Sequence, residues 1–307
     1  MTFQRVAIIG LGLLGGSIGL AVQEQLPDIE TTGYDADPAT RARAAERRLV
    51  AAVCDSAAAA VQGADLVILC VPVGAMGAAA AEIAGALPPG ALVSDVGSSK
   101  QSVAKALAEA LPGHAVIPAH PVAGTEHSGP DAGFASLFQQ RWCIITPPAR
   151  PALGADPAQL AALCSFWEAL GAKVEVMDAG HHDMVLAVTS HLPHLIAYTI
   201  VGTASDLEGV TEGEVIKYSA GGFRDFTRIA ASDPTMWRDV FLSNKDAVLE
   251  MLQRFTEDLT ALQRAIRVGD GDQLFEHFAR TRAIRRSIIE EGQDDARPDF
   301  GRSDHAG

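Results

Sequence analysis

Short apolar runs alternate with alanine-rich segments from the start of the chain to about residue 178. The runs have the length and composition of buried strands, and the segments between them are rich in good helix formers. The predicted strands are Val6–Ile9, Thr31–Tyr34, Leu66–Val71, Ala91–Val96, Ala115–Pro118, Cys143–Thr146 and Lys173–Met177. The predicted helices include Pro38–Val50, Met76–Leu87 and Ala158–Leu170. This alternation is typical of an α/β domain with a doubly wound, mostly parallel sheet, which we place at residues 1–178.

After Asp178 the strand pattern nearly vanishes, and apolar residues recur at helical spacing instead. Helices are predicted over residues 181–207, 234–268 and 273–291. The apolar stripe between Trp237 and Ile266 needs a partner helix, either in the same chain or in a second copy, and the sequence leaves both open. We predict an all-α domain at residues 179–292 that binds substrate and forms a homodimer, followed by a flexible tail at residues 293–307.

A glycine-rich turn joins the first strand to the first helix. Gly10 allows a tight turn, Gly12 lets the backbone approach a pyrophosphate, and Gly15 lets the helix pack closely on the strand. The helix N-terminus then presents free N–H groups and a positive dipole to the phosphates. This order of strand, turn and helix predicts a Rossmann-type dinucleotide-binding domain. Further cofactor contacts are expected at Leu13, Leu14, Val71 and Pro72.

Asp35 stands at the end of the second predicted strand, twenty residues after Gly15. A carboxylate at that place accepts hydrogen bonds from the 2′-hydroxyl of an adenosine ribose and repels a 2′-phosphate. The predicted cofactor is therefore NAD rather than NADP.

Net charge and cysteine content limit the binding partners and the cellular compartment expected for this protein. A formal net charge of −14 argues against nonspecific binding to nucleic acids or anionic membranes. The most apolar helical segment, Met184–Ala204, carries His191, Pro193 and His194, so we expect a buried helix rather than a membrane span. The four cysteines lack metal-type spacing and are predicted to be reduced thiols. Because no secretion signal precedes the first strand, we expect a cytoplasmic protein. The lack of metal-type ligand spacing predicts that it holds no metal.

His120 follows the fifth predicted strand and precedes Pro121, at the edge of the sheet where the glycine turn also lies. A histidine can accept a hydroxyl proton near neutral pH, as oxidation of an alcohol by hydride loss requires. We therefore predict that His120 is catalytic. Ser98 or Ser99, in the loop after the fourth strand, would orient a partner side chain or the nicotinamide amide, or would cap the next helix.

A polar motif interrupts the first apolar helix of the second domain. Ser190 and His194 are expected to contact the substrate, with a kinked structural helix as the alternative because of Pro193. Metal binding by His191 and His194 is disfavoured, since no third ligand stands at a suitable spacing.

Arg224 and Arg228 share a predicted loop that contains two glycines. Arginine binds carboxylates through two parallel hydrogen bonds, so this pair predicts an anionic substrate. The alternative is a solvated ion pair between Arg224 and Asp225.

Taken together, five motifs resemble the prephenate and arogenate dehydrogenases of tyrosine biosynthesis. They are Gly10-x-Gly12-x-x-Gly15, Asp95-x-Gly97-Ser98-x-Lys100, His120-Pro121-x-Ala123-Gly124-x-Glu126, Ser190-His191-Leu192-Pro193-His194 and Gly222-Phe223-Arg224-Asp225-x-Thr227-Arg228. The resemblance covers residues 1–290 and implies an NAD-linked oxidative decarboxylation of a cyclohexadienyl acid. It implies that His120 takes the ring-hydroxyl proton, that Ser98 orients His120, and that Arg228 holds the ring carboxylate.

The same resemblance implies further substrate contacts by Ser190 and His194. It places Arg224, where relatives often carry lysine, near the substrate side chain, and Glu126 as a gating acid at the entrance. Prephenate and arogenate differ only in a keto or amino group, and the sequence does not separate them.

Two alternatives belong to other classes of protein. A β-hydroxyacid dehydrogenase would need a catalytic lysine on the first long helix of the second domain, and that helix has none. A noncatalytic NAD-binding module would need the glycine turn but not His120, His194 and Arg228 together.

Overall fold

The structure is a computed structural model that describes residues 3–125, 127–148, 156–206 and 221–290. Its strands are β1 Arg5–Ile9, β2 Glu30–Tyr34, β3 Ala52–Val53, β4 Leu66–Leu69, β5 Leu92–Asp95, β6 Ala115–Val116, β7 Ala119–Pro121, β8 Trp142–Ile145 and β9 Lys173–Val176. Its helices are α1 Leu13–Gln25, α2 Pro38–Glu46, α3 Ala57–Ala60, α4 Met76–Ile83, α5 Gln101–Ala110, α6 Pro157–Ala169, α7 Ala179–Leu186, α8 Leu192–Asp206, α9 Gly221–Thr227, α10 Pro234–Ser243, α11 Lys245–Val268 and α12 Gly271–Glu290. The tail predicted at residues 293–307 lies outside the described residues.

Six parallel strands form the main sheet in the order β3-β2-β1-β4-β5-β6. Alternate residues of β1 enter two separate apolar cores, with Val6 and Ile8 on one face and Ala7 and Ile9 on the other. Helices cover both faces, so the predicted doubly wound α/β fold followed by an all-α region is confirmed. The strand order reverses between β1 and β4, and ligands of such sheets bind at that crevice.

A second, three-stranded sheet corrects the prediction of one continuous sheet. It has the order β7-β8-β9, and β7 runs antiparallel to β8. Pro118 explains the switch, because a proline has no N–H group to continue the ladder of the main sheet. Its carbonyl oxygen instead accepts a hydrogen bond from the backbone N–H of Thr146 at 2.9 Å. His120 therefore lies within a strand rather than in the loop after one.

Three predicted segments of the C-terminal region also differ in detail. The helix expected at 181–207 is divided by a π-helical turn at Ala187–His191, just before Pro193, which cannot donate the next backbone hydrogen bond. The helix expected at 234–268 breaks at Asn244, whose side chain bonds to other elements. The loop expected around Arg224 is the helix α9.

The run Ala179–Asp206 is long and apolar enough to cross a membrane by length and composition alone. It is not the buried helix that was predicted, since Val188 and Ile200 are exposed. His182 and Asp183 are nevertheless buried and hydrogen-bonded to other parts of the fold, which is the behaviour of a helix packed within a protein.

Two compact units divide the chain, residues 1–249 and residues 250–307. The first unit contains both sheets and the helices through α10. The second unit contains α11 from Glu250 onward and all of α12. Its exposed apolar side chains include Leu259, Ile266, Phe275, Phe278 and Ile284. The domain boundary expected after residue 178 stays a prediction.

Candidate active site

The glycine turn has the shape of a phosphate cradle. Gly10 has a φ of +100°, and a Cβ there would lie 2.5 Å from the carbonyl oxygen of Cys70. A Cβ at Gly15 would lie 1.8 Å from the carbonyl oxygen of Gly10, so only glycine allows α1 to start this close to β1. At Gly12, by contrast, a Cβ would meet nothing within 4 Å, and no side chain caps α1. The turn thus leaves open space in front of unpaired helix N–H groups.

The other predicted cofactor residues surround this turn. Asp35 lies at the end of β2, and its carboxylate accepts hydrogen bonds from the backbone N–H groups of Leu11 at 2.8 Å and Asp37 at 3.0 Å. Val71 follows β4 and lies against Gly10, while Pro72, the next residue, is exposed. Leu13 and Leu14 form the first turn of α1 and are partly buried. An open cradle, free N–H groups and a fixed acid together fit a dinucleotide of the NAD type.

His120 is buried on β7 and hydrogen-bonded on one side of its ring. Its Nδ1 lies 2.9 Å from Nε2 of His182, and Nε2 of His120 makes no hydrogen bond within the part of the chain that the structure describes. Burial, and then the neighbouring His182, Lys100 and His191, lower the pKa of His120 well below 6.5. The imidazole is therefore neutral at neutral pH and able to accept a proton.

Asp183 and His182 are the functional candidates that the sequence patterns missed. Nδ1 of His182 lies 2.8 Å from Oδ1 of Asp183. The Asp183 carboxylate also accepts hydrogen bonds from the backbone N–H groups of Lys100 at 2.7 Å and Gln101 at 2.9 Å, at the start of α5. The run of three ionisable residues at 181–183, within a mostly apolar segment, is the signal in the sequence that could have indicated them.

The structure shows no hydrogen bond between Ser98 and His120, so the orienting role that the resemblance implied stays a prediction. Nδ1 of His120 has His182 as its partner, and the Ser98 side chain makes no hydrogen bond among the described residues. Ser98 lies beside His191. Burial lowers the pKa of His191 to about 4, and an interaction with the backbone of Ser98 acts to raise that pKa. Contact of Ser98 with the nicotinamide amide stays a prediction.

A buried ion pair fixes the backbone next to His120. The Lys100 ammonium donates hydrogen bonds to Oδ2 of Asp95 and, at 2.7 Å, to the carbonyl oxygen of Ala119. Oδ1 of Asp95 accepts from the N–H of Ala119 at 3.3 Å, and Oδ2 accepts from that of Gly97 at 2.7 Å. Because Asp95 ends β5, these contacts hold His120 at the carboxyl edge of the main sheet, where the glycine turn also lies.

His194 lies against an aromatic wall. Its ring stacks on Trp237 with a centroid separation of 3.7 Å, and its Nδ1 donates to the carbonyl oxygen of Ser190 at 2.8 Å. Burial lowers the pKa of His194, and the charge of Arg228 lowers it further, which places Arg228 in this neighbourhood. The predicted trio of Ser190, His194 and Arg228 is therefore brought together.

Asn244 links this neighbourhood to the histidine pair. Its Nδ2 donates to the carbonyl oxygen of Asp183 at 2.8 Å and lies 3.1 Å from Nδ1 of His191. Nε2 of His191 and Nε1 of Trp237 are both buried, and neither has a hydrogen-bond partner of good geometry among the described residues.

For two of the predicted substrate residues, the structure shows no hydrogen bond to the histidines described above. Arg224 is exposed on α9 and makes no hydrogen bond to any described residue. Glu126 lies outside the described residues, so its gating role stays a prediction.

Comparison with known proteins agrees with this geometry. Residues 18–176 match the family model for the nucleotide-binding domain of prephenate dehydrogenase. Residues 178–280 match the model for the dimerization domain of the same family.

Individual relatives match nearly the whole chain. A cyclohexadienyl dehydrogenase of Zymomonas mobilis is 46% identical over 287 residues, covering 93% of this chain and 96% of the relative. A crystal structure of prephenate dehydrogenase from A. aeolicus, in complex with hydroxyphenyl propionate and NAD+, has a TM-score of 0.86 and 32% identity over 94% of this chain and 99% of that one. A Synechocystis arogenate dehydrogenase structure has a TM-score of 0.76 and 27% identity, covering 92% and 99%.

These matches favour the family predicted from the motifs over the β-hydroxyacid dehydrogenase and the noncatalytic alternatives. The chain is an NAD-dependent dehydrogenase, and it belongs to the prephenate dehydrogenase family.

Proposed function

We propose that this enzyme catalyses the oxidative decarboxylation of prephenate, arogenate or both, as a step of tyrosine biosynthesis. The observation that carries the proposal is His120, a buried neutral histidine whose Nε2 makes no hydrogen bond to a described residue. Asp95 and Lys100 hold its strand at the sheet edge that bears the dinucleotide cradle. The similar proteins are cyclohexadienyl, prephenate and arogenate dehydrogenases, which supports a cyclohexadienyl acid as the substrate.

In this proposal the residues divide the work between proton transfer and binding. Nε2 of His120 takes the proton of the ring hydroxyl while the ring carbon that bears it gives up a hydride, which bound NAD+ would accept. Arg228 holds the ring carboxylate until it leaves as CO₂. The electron pair of the broken carbon–carbon bond makes the ring aromatic, and the phenolate oxygen takes back the proton held by His120. Ser190 and His194 contact the substrate, and Arg224 lies toward its side chain.

The test of the function is a pair of assays on the purified enzyme. NADH formation is followed with prephenate and with arogenate in parallel, at saturating NAD+. Turnover of at least one compound is the expected result. Turnover of neither, by protein that binds NAD+, would contradict the proposal.

Arg228→Ala is expected to raise the KM for the cyclohexadienyl substrate about 10- to 100-fold, because a hydrogen bond to a charged group contributes about 1.5–3 kcal/mol. The KM for NAD+ should stay nearly constant, since the dinucleotide cradle lies on other elements. Arg224→Ala is the matched control on the same short stretch, and we expect a smaller effect. An equal rise in substrate KM for both variants would remove the distinction between the two arginines.

Asp35→Asn tests the proposed preference for NAD over NADP. The amide still offers an oxygen to the N–H of Leu11, so the shape of the turn is kept while the charge is removed. Relief of charge repulsion at about 4 Å is worth about 1–4 kcal/mol, so the ratio of kcat/KM for NADP to that for NAD should rise at least about fivefold. Asp37→Asn, which keeps a capping side chain on α2, is the control. No change in the ratio for Asp35→Asn would refute this role.

We also propose a cytoplasmic homodimer that has no nucleic-acid or membrane partner. All four cysteines are free thiols, as expected in a reducing compartment. The exposed apolar side chains of residues 250–290 and the match to a dimerization domain support self-association. A monomeric mass by light scattering at assay concentrations would contradict the dimer.

A further inference from the structure

Three buried side chains form one continuous hydrogen-bonded chain. His120 is 7% exposed, His182 0% and Asp183 1%. The links are 2.9 Å from Nδ1 of His120 to Nε2 of His182, and 2.8 Å from Nδ1 of His182 to Oδ1 of Asp183. Each nitrogen in this chain faces one partner, so the position of one proton determines the position of the next.

Asp183 sets the direction of the chain. Burial acts to raise its pKa, but hydrogen bonds from His182 and from the N–H groups of Gln101 and Lys100 outweigh burial, and the pKa is lowered. The carboxylate is therefore ionised at neutral pH and only accepts hydrogen bonds. Nδ1 of His182 must then carry a proton and donate it.

The remaining assignments follow from the neutral state of both rings. Burial lowers the pKa of His182, against the hydrogen bond to Asp183, so the ring carries one proton and that proton is on Nδ1. Nε2 of His182 is then a lone-pair acceptor, and Nδ1 of His120 must donate to it. The single proton of His120 is thus on Nδ1, and its Nε2 carries the lone pair.

We propose that His182 and Asp183 are positioning residues that keep the proton of His120 on Nδ1, so that Nε2 is free to accept the proton of the substrate. The inference rests on the proposed role of His120 as the base. When Nε2 takes the substrate proton, the positive charge on His120 develops next to an acceptor nitrogen and an anchored carboxylate, which stabilise it.

The surroundings of the chain keep it in this arrangement. The charged or titratable groups that act on His182 and His120 from neighbouring elements are Lys100, Asp95 and His191. Lys100 is bonded to Asp95 and His191 to Asn244, so neither competes for the nitrogen pair. Asn244 also donates a hydrogen bond to the backbone carbonyl of Asp183, which fixes the carboxylate end of the hydrogen-bonded series.

Asp183→Asn is the first test, because it removes the negative charge that holds the proton of His182 on Nδ1. The other tautomer of His182, which donates from Nε2 to Nδ1 of His120 and forces the proton of His120 onto Nε2, is then no longer disfavoured by a carboxylate. We expect kcat to fall at least about 100-fold, with the KM for substrate and for NAD+ within about threefold of wild type. His181→Asn, an exposed neighbour on the same helix, should leave both constants unchanged.

His182→Gln and His182→Phe separate positioning from packing. The glutamine oxygen can accept from Nδ1 of His120 while its NH₂ donates to Asp183, so this variant should keep kcat within about tenfold of wild type. Phenylalanine fills similar space without an acceptor, and we expect kcat to fall about 100-fold. Equal activity of the two variants would show that only packing matters and would overturn the inference.

Nitrogen NMR of histidine-labelled wild-type enzyme, saturated with NAD+, reads the tautomer directly and does not depend on any variant that fails to fold. The His120 signals are assigned by their loss in His120→Asn. A proton on Nδ1 and a bare Nε2 support the inference, and a proton on Nε2 would overturn it. If His120→Asn keeps its turnover, the proposed base itself is wrong; if it loses turnover while Asp183→Asn and His182→Phe do not, only the positioning role fails.

Discussion

Replacing His120 by asparagine should reduce kcat about 10²- to 10⁴-fold while leaving the affinity for NAD+ nearly intact. Asparagine can still hydrogen-bond to His182 and fill part of the buried space on β7, but its amide cannot take up a proton at neutral pH. The dinucleotide cradle at Gly10–Gly15 and Asp35 does not include His120, so cofactor binding is not affected. Steady-state kinetics of NADH formation and fluorescence titration with NAD+ measure the two quantities separately.

The pH dependence of kcat/KM in the wild-type enzyme is a second test of His120 as the catalytic base. Because the pKa of His120 in the free enzyme is well below 6.5, the base is unprotonated at neutral pH. We expect kcat/KM to stay level as the pH falls to about 6.5 and to decline only in more acidic solution, where His120 takes up a proton. An acid limb that begins above pH 6.5, or unchanged turnover of His120→Asn, would remove His120 from the mechanism.

Local chemistry explains which parts of the site could be predicted from the sequence. The turn from Gly10 to Gly15 could be predicted because its function is encoded in neighbouring residues. Gly10 and Gly15 meet steric demands of the strand, turn and helix, and Gly12 leaves open space for the phosphates. Asp35 could be placed for the same reason, at the end of the next strand. The motif around Ser190 and His194 lies within one helix, so its residues were bound to stay near each other.

Contacts between distant segments explain what could not be predicted. His182 is 62 positions from His120, and Asp183 is 83 positions from Lys100, so no spacing rule connects them. The family resemblance named Ser98 as the residue that orients His120, and nothing in the spacing of the sequence pointed to His182. The separate sheet was missed for a related reason, since the effect of Pro118 depends on a strand that begins at Trp142.

Lys100→Met is expected to lower the free energy of unfolding by about 3–5 kcal/mol, because it leaves a buried carboxylate without its counter-charge. Lys100 and Asp95 are both 0% exposed, so water does not replace the lost ammonium. Burial lowers the pKa of Lys100 and raises that of Asp95, while the attraction between the two groups opposes both shifts, so the pair carries a desolvation cost. Urea denaturation followed by circular dichroism measures the change.

Two further variants decide whether the unpaired charge is the cause. Lys105→Met changes an exposed lysine on the same helix and should alter the free energy of unfolding by no more than about 0.5 kcal/mol. Asp95→Asn combined with Lys100→Met removes both charges while an amide oxygen can still accept the N–H of Gly97. The double variant should recover about 1–3 kcal/mol of the loss, because breaking a buried ion pair costs more than replacing it. If the double variant is less stable than Lys100→Met alone, the loss comes instead from the hydrogen bonds to Ala119, and the pair acts as an anchor for the strand of His120 rather than as balanced charges.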